Sequence, residues 1–337
     1  MGGKALKNIE TKRCNQTEYF KIVNEVGINL YSLGLKNSII PHYKAKEDFG
    51  DADFLVETCP NIVEKIKKHF PINDCYNNGN VFSFDYKNFQ IDLIFVFPID
   101  FYMSYVYYSY NDLGALIGRM ARMLNLVYSP QGLKLKIYSN DYSRKIDTII
   151  LSKNPEQIYS VLDLDFKRWQ KGFYSLEDIF NFISKSKFFH YNTFDDDKVP
   201  YESRKRDNQR RNYRIFKDWI KEHSSLFTTK KFYDLSREES VLFVSKKFPE
   251  IDITTKLKNI ELKEIKRLKN KEKFNGKILM QEIPKMKTIH DENPEEFGEI
   301  IRKFVKTFVD FENFVDNYSK EEIIKHFSYF LEIQEIL

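Results

Sequence analysis

Residues Lys46–Val56 read KEDFGDADFLV. Acids crowd the front of this stretch, a glycine sits among them, and an apolar run closes it. A lone carboxylate taken out of water is costly unless it is paired or holds a metal ion. Asp51 and Asp53 at the mouth of a core strand therefore need a reason. Alternate side chains of a strand share a face, which puts these two on one side, about 7 Å apart. FQIDLIFVFP, Phe89–Pro98, supplies a third acid, Asp92, inside an otherwise apolar strand. Three carboxylates around two Mg2+ ions, for which Mn2+ can substitute, are a machinery for in-line phosphoryl transfer. In that arrangement Asp51 and Asp53 bridge both ions, and Asp92 serves the ion that activates the nucleophile. Gly50 permits the tight approach.

Outward from this stretch the chain reads as α/β. TEYFKIVNEVGINLYSLGL, 17–35, has helical spacing after Thr17 as N-cap. SIIPHYKAKEDFGDADFLVET reads as strand, basic loop, strand, and Pro60–Phe70 as a short helix. NVFSFDYKNFQIDLIFVFP reads as two strands joined by a turn at 85–88. Residues 112–126 and 155–162 read as helices, with a hairpin around 139–141 between them. Near Tyr174 the pattern becomes mainly helical, with Ser175 as N-cap and Asp178 at the third helical position. The expected organisation is a small mixed sheet flanked by helices over 1–174, then a mostly helical domain over 175–337.

Composition bounds the function. A chain of 337 residues suits about two domains at roughly 100–200 residues each. At 42% hydrophobic and 16% aromatic it can bury a core. No apolar run reaches about 18 residues, and the first residues, MGGKALKNIETKR, lack a signal-type apolar segment. Leu6 stands where N-myristoylation needs Ser or Thr. Cys14, Cys59 and Cys75 make neither a metal spacing nor an even disulfide set, and the six histidines are scattered. These features fit a reducing, cytoplasmic compartment and no membrane partner. The net charge of +5 hides segregation: 198–231 carries eleven Lys/Arg against four acids, 256–277 nine against three, and 291–337 five against twelve. A polyanion-binding face and a separate acidic end are implied.

HYKAKEDFGDADFLV resembles the palm motif of the family X (DNA polymerase beta-like) polymerases, within the nucleotidyltransferase superfamily. FQIDLIFVFPIDFYMSYVYYS resembles that family's third-aspartate strand and the helix after it, LGALIGRMARMLNLVYSPQGL its nucleotide-closing helix, and SKNPEQIYSVLDLDF its thumb motif. The resemblance covers about Glu18–Phe173. It implies that Asp51, Asp53 and Asp92 are metal-binding, that Lys44 stands where the family has a triphosphate-binding arginine, and that Lys46 adds a second cation. It also implies that Gly50 precedes the first aspartate, that Tyr108 lies near the incoming sugar, and that Arg119 and Arg122 ride on the closing helix. The chain departs from the family where Ile40-Pro41 replaces a phosphate-cradling Gly-Ser and where Asn111-Asp112 replaces a sugar-side Gly-Ser. The family's lyase and helix-hairpin-helix segment is missing ahead of the palm. Gly2, Gly3 and Lys4 are candidates to replace the lost cradle.

In ESRKRDNQRRNYRIFKDWIKEH a single helix would put Arg206, Arg210, Tyr213 and Lys217 on one face, with Arg204, Lys205 and Arg211 flanking. Such a face either tracks nucleic-acid phosphates or is simply solvated. The Asp195–Asp197 triplet reads as a solvated loop. The expected activity is metal-dependent transfer of a nucleotide from an NTP or dNTP to the 3′-hydroxyl of DNA or RNA. A terminal RNA nucleotidyltransferase, adding poly(A) or tRNA ends, and a catalytically idle nucleic-acid-binding module remain as alternatives.

Overall fold

A computed structural model describes residues 4–139, 144–194, 201–227 and 229–336, apart from the side chains at 202, 203, 206 and 209. Gly2, Gly3, the turn at 140–141, the triplet at 195–197 and the Arg206 side chain lie outside the described residues. The chain forms two compact units, Met1–Ile251 and Asp252–Leu337.

The first unit opens with β1 (Cys14–Asn15), α1 (Gln16–Ser32), β2 (Asn37–Ile39), β3 (Asp48–Phe49) and β4 (Asp51–Glu57). Then come α2 (Ile62–His69), β5 (Cys75–Asn78), β6 (Val81–Tyr86), β7 (Phe89–Val96), α3 (Phe101–Tyr108) and α4 (Leu113–Met123). Five strands form a mixed sheet in the order β2-β4-β7-β6-β5, in which β4 and β7 run parallel. The N-cap of α1 is Asn15 rather than Thr17: its side chain accepts the Glu18 N–H at 3.0 Å. Lys87 and Asn88 both take left-handed φ, as a two-residue hairpin turn between β6 and β7 requires.

Alternation gives the sheet two unlike faces. Ala52, Phe54 and Val56 of β4, Phe82 and Phe84 of β6, and Phe89, Ile91 and Leu93 of β7 join one core with Val26, Leu30 and Ile66 of α1 and α2. Leu55, Ile94 and Val96 point the other way and pack with Ile40, Phe101, Tyr105 and Tyr108. Each aliphatic side chain buried this way contributes about 1.5–3 kcal/mol.

A second, antiparallel sheet holds β8 (Leu126–Ser129), β9 (Gly132–Tyr138) and β10 (Lys145–Ser152). It is followed by α5 (Pro155–Val161), α6 (Phe166–Gln170) and α7 (Leu176–Ser184), the last capped by Ser175 on the Asp178 N–H. The 174/175 boundary expected from sequence falls inside the first unit. The Lys44 and Ala45 N–H groups bond the Phe173 and Tyr174 carbonyls at 2.9 and 2.8 Å, so the loop before β3 is tied to the segment entering α7. The single basic helix is in fact two, α8 (Tyr201–Gln209) and α9 (Arg211–Glu222). Arg210 between them is extended, at φ −83° and ψ 118°, and its side chain reaches Asp112 instead of continuing a face. Phe216 and Trp219 of α9 stack on each other and meet Phe180 at tilted angles, and Trp219 also meets Phe227. α10 (Arg237–Lys247) is fixed to the end of α4 by Leu235 N–H to Met123 O (2.9 Å) and Ser240 Oγ to Leu124 O (2.5 Å).

The second unit contains α11 (Ile253–Lys273), α12 (Gly276–Glu282), α13 (Pro284–Glu292), α14 (Pro294–Lys306), α15 (Phe311–Asn317) and α16 (Lys320–Ile333). Phe274, Met286, Phe304 and Phe327 centre its core. Its basic and acidic runs meet. Lys266 pairs with Asp316 at 2.6 Å, and Lys273 Nζ donates to the carbonyls of Val315, Asp316 and Tyr318 at 2.9–3.0 Å. No helix among the described residues is long and apolar enough to cross a membrane.

Candidate active site

Strand register builds the site. Asp53 lies beside Asp92, which lies beside Ser83; one step away, Asp51 lies beside Gln90 and Gln90 beside Asp85. Next along the same face is the apolar row Leu55, Ile94 and Val81. Asp51, Asp53 and Asp92 therefore share one face, as alternation predicts, with α3 covering the apolar row below them.

The three carboxylates act on one another. Burial pushes the Asp92 carboxyl up to about 6 against the opposing hydrogen bond from Ser83; the Asp51 charge adds to the rise and the Gln90 amide resists it. Desolvation by the surrounding protein, then the Asp51 and Asp92 charges, holds Asp53 well above the ordinary carboxylate range, while Lys46 opposes them. Asp53 is nonetheless exposed to solvent. Gln90, 2% exposed, donates its amide to both Asp92 oxygens at 2.9 and 3.0 Å and accepts the Ala5 N–H at 2.9 Å. The N-terminal segment is thereby strapped to the carboxylate face. It is held further by Lys7 and Asn8 N–H bonds to Asp74 (3.1 and 2.9 Å) and by Arg13 on Asp48 (2.8 Å). Asp48, the acid nearest the site, is thus a structural ion pair, its carboxyl held low chiefly by the Arg13 hydrogen bond.

The cations sort themselves. Lys46 is half-buried, with Nζ 4.6 Å from the Phe49 ring centre; burial lowers its pKa while Asp51 and Asp53 raise it. Lys44 is exposed, and its backbone is fixed by Phe173. Lys46 therefore feels both Asp51 and Asp53, and Arg13 feels Asp51. Lys4 is exposed, one residue from the Ala5–Gln90 bond. Gly50 is buried between β3 and β4. Tyr108 stands at the end of α3, its hydroxyl pushed up mainly by burial with Asp53 contributing. Tyr19, stacked on Phe49 at 3.9 Å, is raised by burial and then by Asp53 and Asp51.

Arg119, expected on a nucleotide-facing helix, forms an ion pair with Asp207 and lies 5.0 Å from the Tyr213 ring centre. Arg122 on the same helix is exposed. Arg210 is paired with Asp112 at 2.9 Å, Arg204 lies 6.0 Å from the Tyr201 ring centre, and Lys205 is exposed. Tyr213 is buried, and Lys217 donates to the Phe194 carbonyl at 2.6 Å. Burial pushes the Tyr43 hydroxyl up against the opposing Arg211 charge, and the same charge adds a little to the lowering of Asp48. Arg119 and Arg210 clasp α4 to α8 and α9.

At Ile40-Pro41 the backbone offers no cradle. The Ile40 N–H bonds the Asp53 carbonyl at 2.9 Å, and Pro41 O accepts the Tyr110 N–H at 2.8 Å. Tyr110 and Asn111 both have left-handed φ, 61° and 63°, an arrangement costly for non-glycine residues. The Tyr110 ring, edge-on to Trp169 and Phe173, holds the turn.

The donor set is three hard carboxylate groups, which suit Mg2+ or Mn2+ in kind, and a divalent cation would offset the burial and the mutual repulsion that raise Asp53 and Asp92. The side chains themselves are not gathered: no group of three or more His, Cys, Asp or Glu among the described residues is arranged to hold an ion. Sequence reading missed Ser83, Gln90 and the Ala5 strap. Its available signal was the polar residue at every second position of VFSFDY and FQID, on the same face as Asp92. No protein-family model matches the chain, and no curated protein matches it.

Proposed function

We propose that the chain is a metal-dependent nucleotidyltransferase that moves a nucleotide from an NTP or dNTP to the 3′-hydroxyl of a nucleic acid. The observation that carries this reading is the register of Asp53 beside Asp92, with Asp51 on the same face and the carboxyls of Asp53 and Asp92 pushed up. Two carboxyls that resist ionising together are a poor structural choice and a good cation site. Bound divalent ions supply the Lewis acidity that lowers the attacking hydroxyl's pKa and neutralises the departing pyrophosphate. Asp51, Asp53 and Asp92 hold those ions, and Gln90 and Ser83 fix the Asp92 carboxylate. With the backbone at Ile40-Pro41 engaged, Lys46 is the side chain that steadies the triphosphate.

The test is a labelled single-stranded DNA, single-stranded RNA or primed duplex incubated with NTPs or dNTPs and Mg2+ or Mn2+. Extension that Asp53→Asn abolishes supports the reading; no extension of any acceptor by the wild-type chain refutes it. Untemplated growth of the RNA alone would select a terminal RNA nucleotidyltransferase.

A further inference from the structure

Two adjoining cavities lie along α4, and none of Asp51, Asp53 and Asp92 lines either one. The smaller, about 200 Å³, is lined by Tyr107, Arg119, Arg122, Tyr128 and Arg210, with Asp112 and Asp207. The larger, about 850 Å³, is lined by Arg122, Tyr128, Lys136, Tyr138 and Arg237, with Asp234. Both share Gly118, Arg122 and Tyr128, so they form one groove between α4, the β8–β9 hairpin and the segment that enters α10.

The groove is net cationic, with five basic side chains lining it against three acids. In the smaller cavity the two acids are already engaged, Asp112 by Arg210 and Asp207 by Arg119. In the larger, three cations stand against one acid. Its inner end meets the end of α3: Tyr107 lines the groove, and the ring of its chain neighbour Tyr108, 5.2 Å away, packs with Leu55 and Ile94 on the carboxylate-bearing face.

We propose that this groove carries a single-stranded nucleic acid whose end reaches the carboxylate face. Arg122 and Lys136 meet its phosphates, and Tyr138 offers a ring to its bases. The proposal rests on the nucleotidyl-transfer reading for the meaning of that end, but not for the binding itself. Cations along a groove neutralise successive phosphates, and tyrosine faces stack bases without regard to sequence. A volume of 850 Å³ lies in the range of pockets that enclose one drug-sized ligand, roughly 300–1,000 Å³, which admits a few nucleotides of one strand and not a duplex. This places the grip on α4 and β9 rather than on an arginine face of α8 and α9.

The test is fluorescence anisotropy with the full chain and labelled oligonucleotides of about 15 nucleotides, near the upper end of single-strand site sizes, as RNA, as DNA and as duplex, without nucleotide. The double change Arg122→Gln with Lys136→Gln should weaken single-strand binding by on the order of tenfold. It should also flatten the log–log salt slope by about 1.4, or about 0.7 per phosphate contact. Gly118→Leu is a second, uncharged probe. A Cβ at Gly118 meets only the Tyr128 carbonyl, at 3.7 Å, and leucine favours a helix over glycine, so the fold tolerates the change while the side chain obstructs the groove. It should weaken binding of the same oligonucleotides with no fall in melting temperature. Wild-type affinity and salt slope in both variants would overturn the proposal, as would tighter binding of duplex than of single strand. Groove-dependent binding in a chain that extends no acceptor would uphold the groove and refute the transferase reading.

Discussion

On one face of the five-stranded sheet Phe54, Phe82, Phe84, Ile91 and Leu93 close against α1 and α2; on the other, Asp51, Asp53, Asp92 and Gln90 stand in two rows beside Leu55 and Ile94. The same three strands supply both faces, offset by a single residue. A slip of one position would bury the carboxylates and expose the rings, so the apolar face sets the register that brings Asp53 beside Asp92. The polar face in turn holds carboxyls pushed toward their neutral forms, a cost that the apolar face offsets. Stability and the candidate chemistry are thus carried by alternate residues of one sheet.

The sharpest way to break that division is to change one face at a time. Asp53→Asn or Asp92→Asn should lower transfer by at least about a thousandfold, about 4 kcal/mol of transition-state stabilisation, in a steady-state extension assay. Neither should lower the melting temperature, because each removes mutual repulsion rather than packing. Phe84→Ala should do the reverse. Its side chain is fully buried, so truncation should cost about 3–5 kcal/mol of unfolding free energy in urea, while the surviving folded fraction keeps its activity per molecule. If Phe84→Ala left stability intact, or Asp53→Asn lowered it comparably, the two faces would not be separable in this way.

These contrasts were partly legible in the sequence. Asp51, Asp53 and Asp92 stand out because a charge inside an apolar strand is rare, and their sharing a face follows from the period of two. Gln90 and Ser83 were hidden because an uncharged polar residue in a strand carries little cost and so little signal. The partner of Gln90 is a backbone N–H 85 residues away, which no local pattern encodes. Helical periodicity over 201–222 was read correctly in type but not in continuity: Arg210 leaves the helix to meet Asp112, a tertiary contact overriding a good helical pattern. The expected nucleotide role for Arg119 meets the same difficulty, since Asp207, 88 positions on, is its partner. The basic run 256–277 reads from sequence as a solvated helix face or a polyanion surface, because its acidic counterpart in α15 is remote in sequence and near in space.

Smaller effects sharpen the comparison within the polar face. A carboxyl whose folded pKa is raised stabilises the fold below its unfolded pKa, and that contribution is lost as pH rises through the folded value. For Asp92 the window runs from about 3.9, the unperturbed value, to about 6. Melting temperatures of wild type and Asp92→Asn measured from pH 4 to pH 7 should therefore diverge, the wild type losing ground as pH rises. Parallel curves would mean that Asp92 is not raised. Gln90→Met keeps the volume and removes the amide that donates to Asp92. It should raise the Asp92 pKa further, seen by carbon-13 carboxyl titration, and cost about 1–3 kcal/mol through the unpaired Ala5 N–H. Lys46→Ala should raise the KM for nucleotide more than Lys44→Ala does, because Lys46 is half-buried and feels both Asp51 and Asp53 while Lys44 is exposed; the opposite order in steady-state kinetics would exchange their roles.

The central claim, that Asp51, Asp53 and Asp92 form one divalent-cation site, is tested most directly by electron paramagnetic resonance of Mn2+ titrated into the protein at pH 7. The account predicts that the wild-type chain depletes the free Mn2+ signal and that Asp53→Asn and Asp92→Asn, still folded, do so far less. Equal depletion by all three proteins, or none by the wild type, would contradict it.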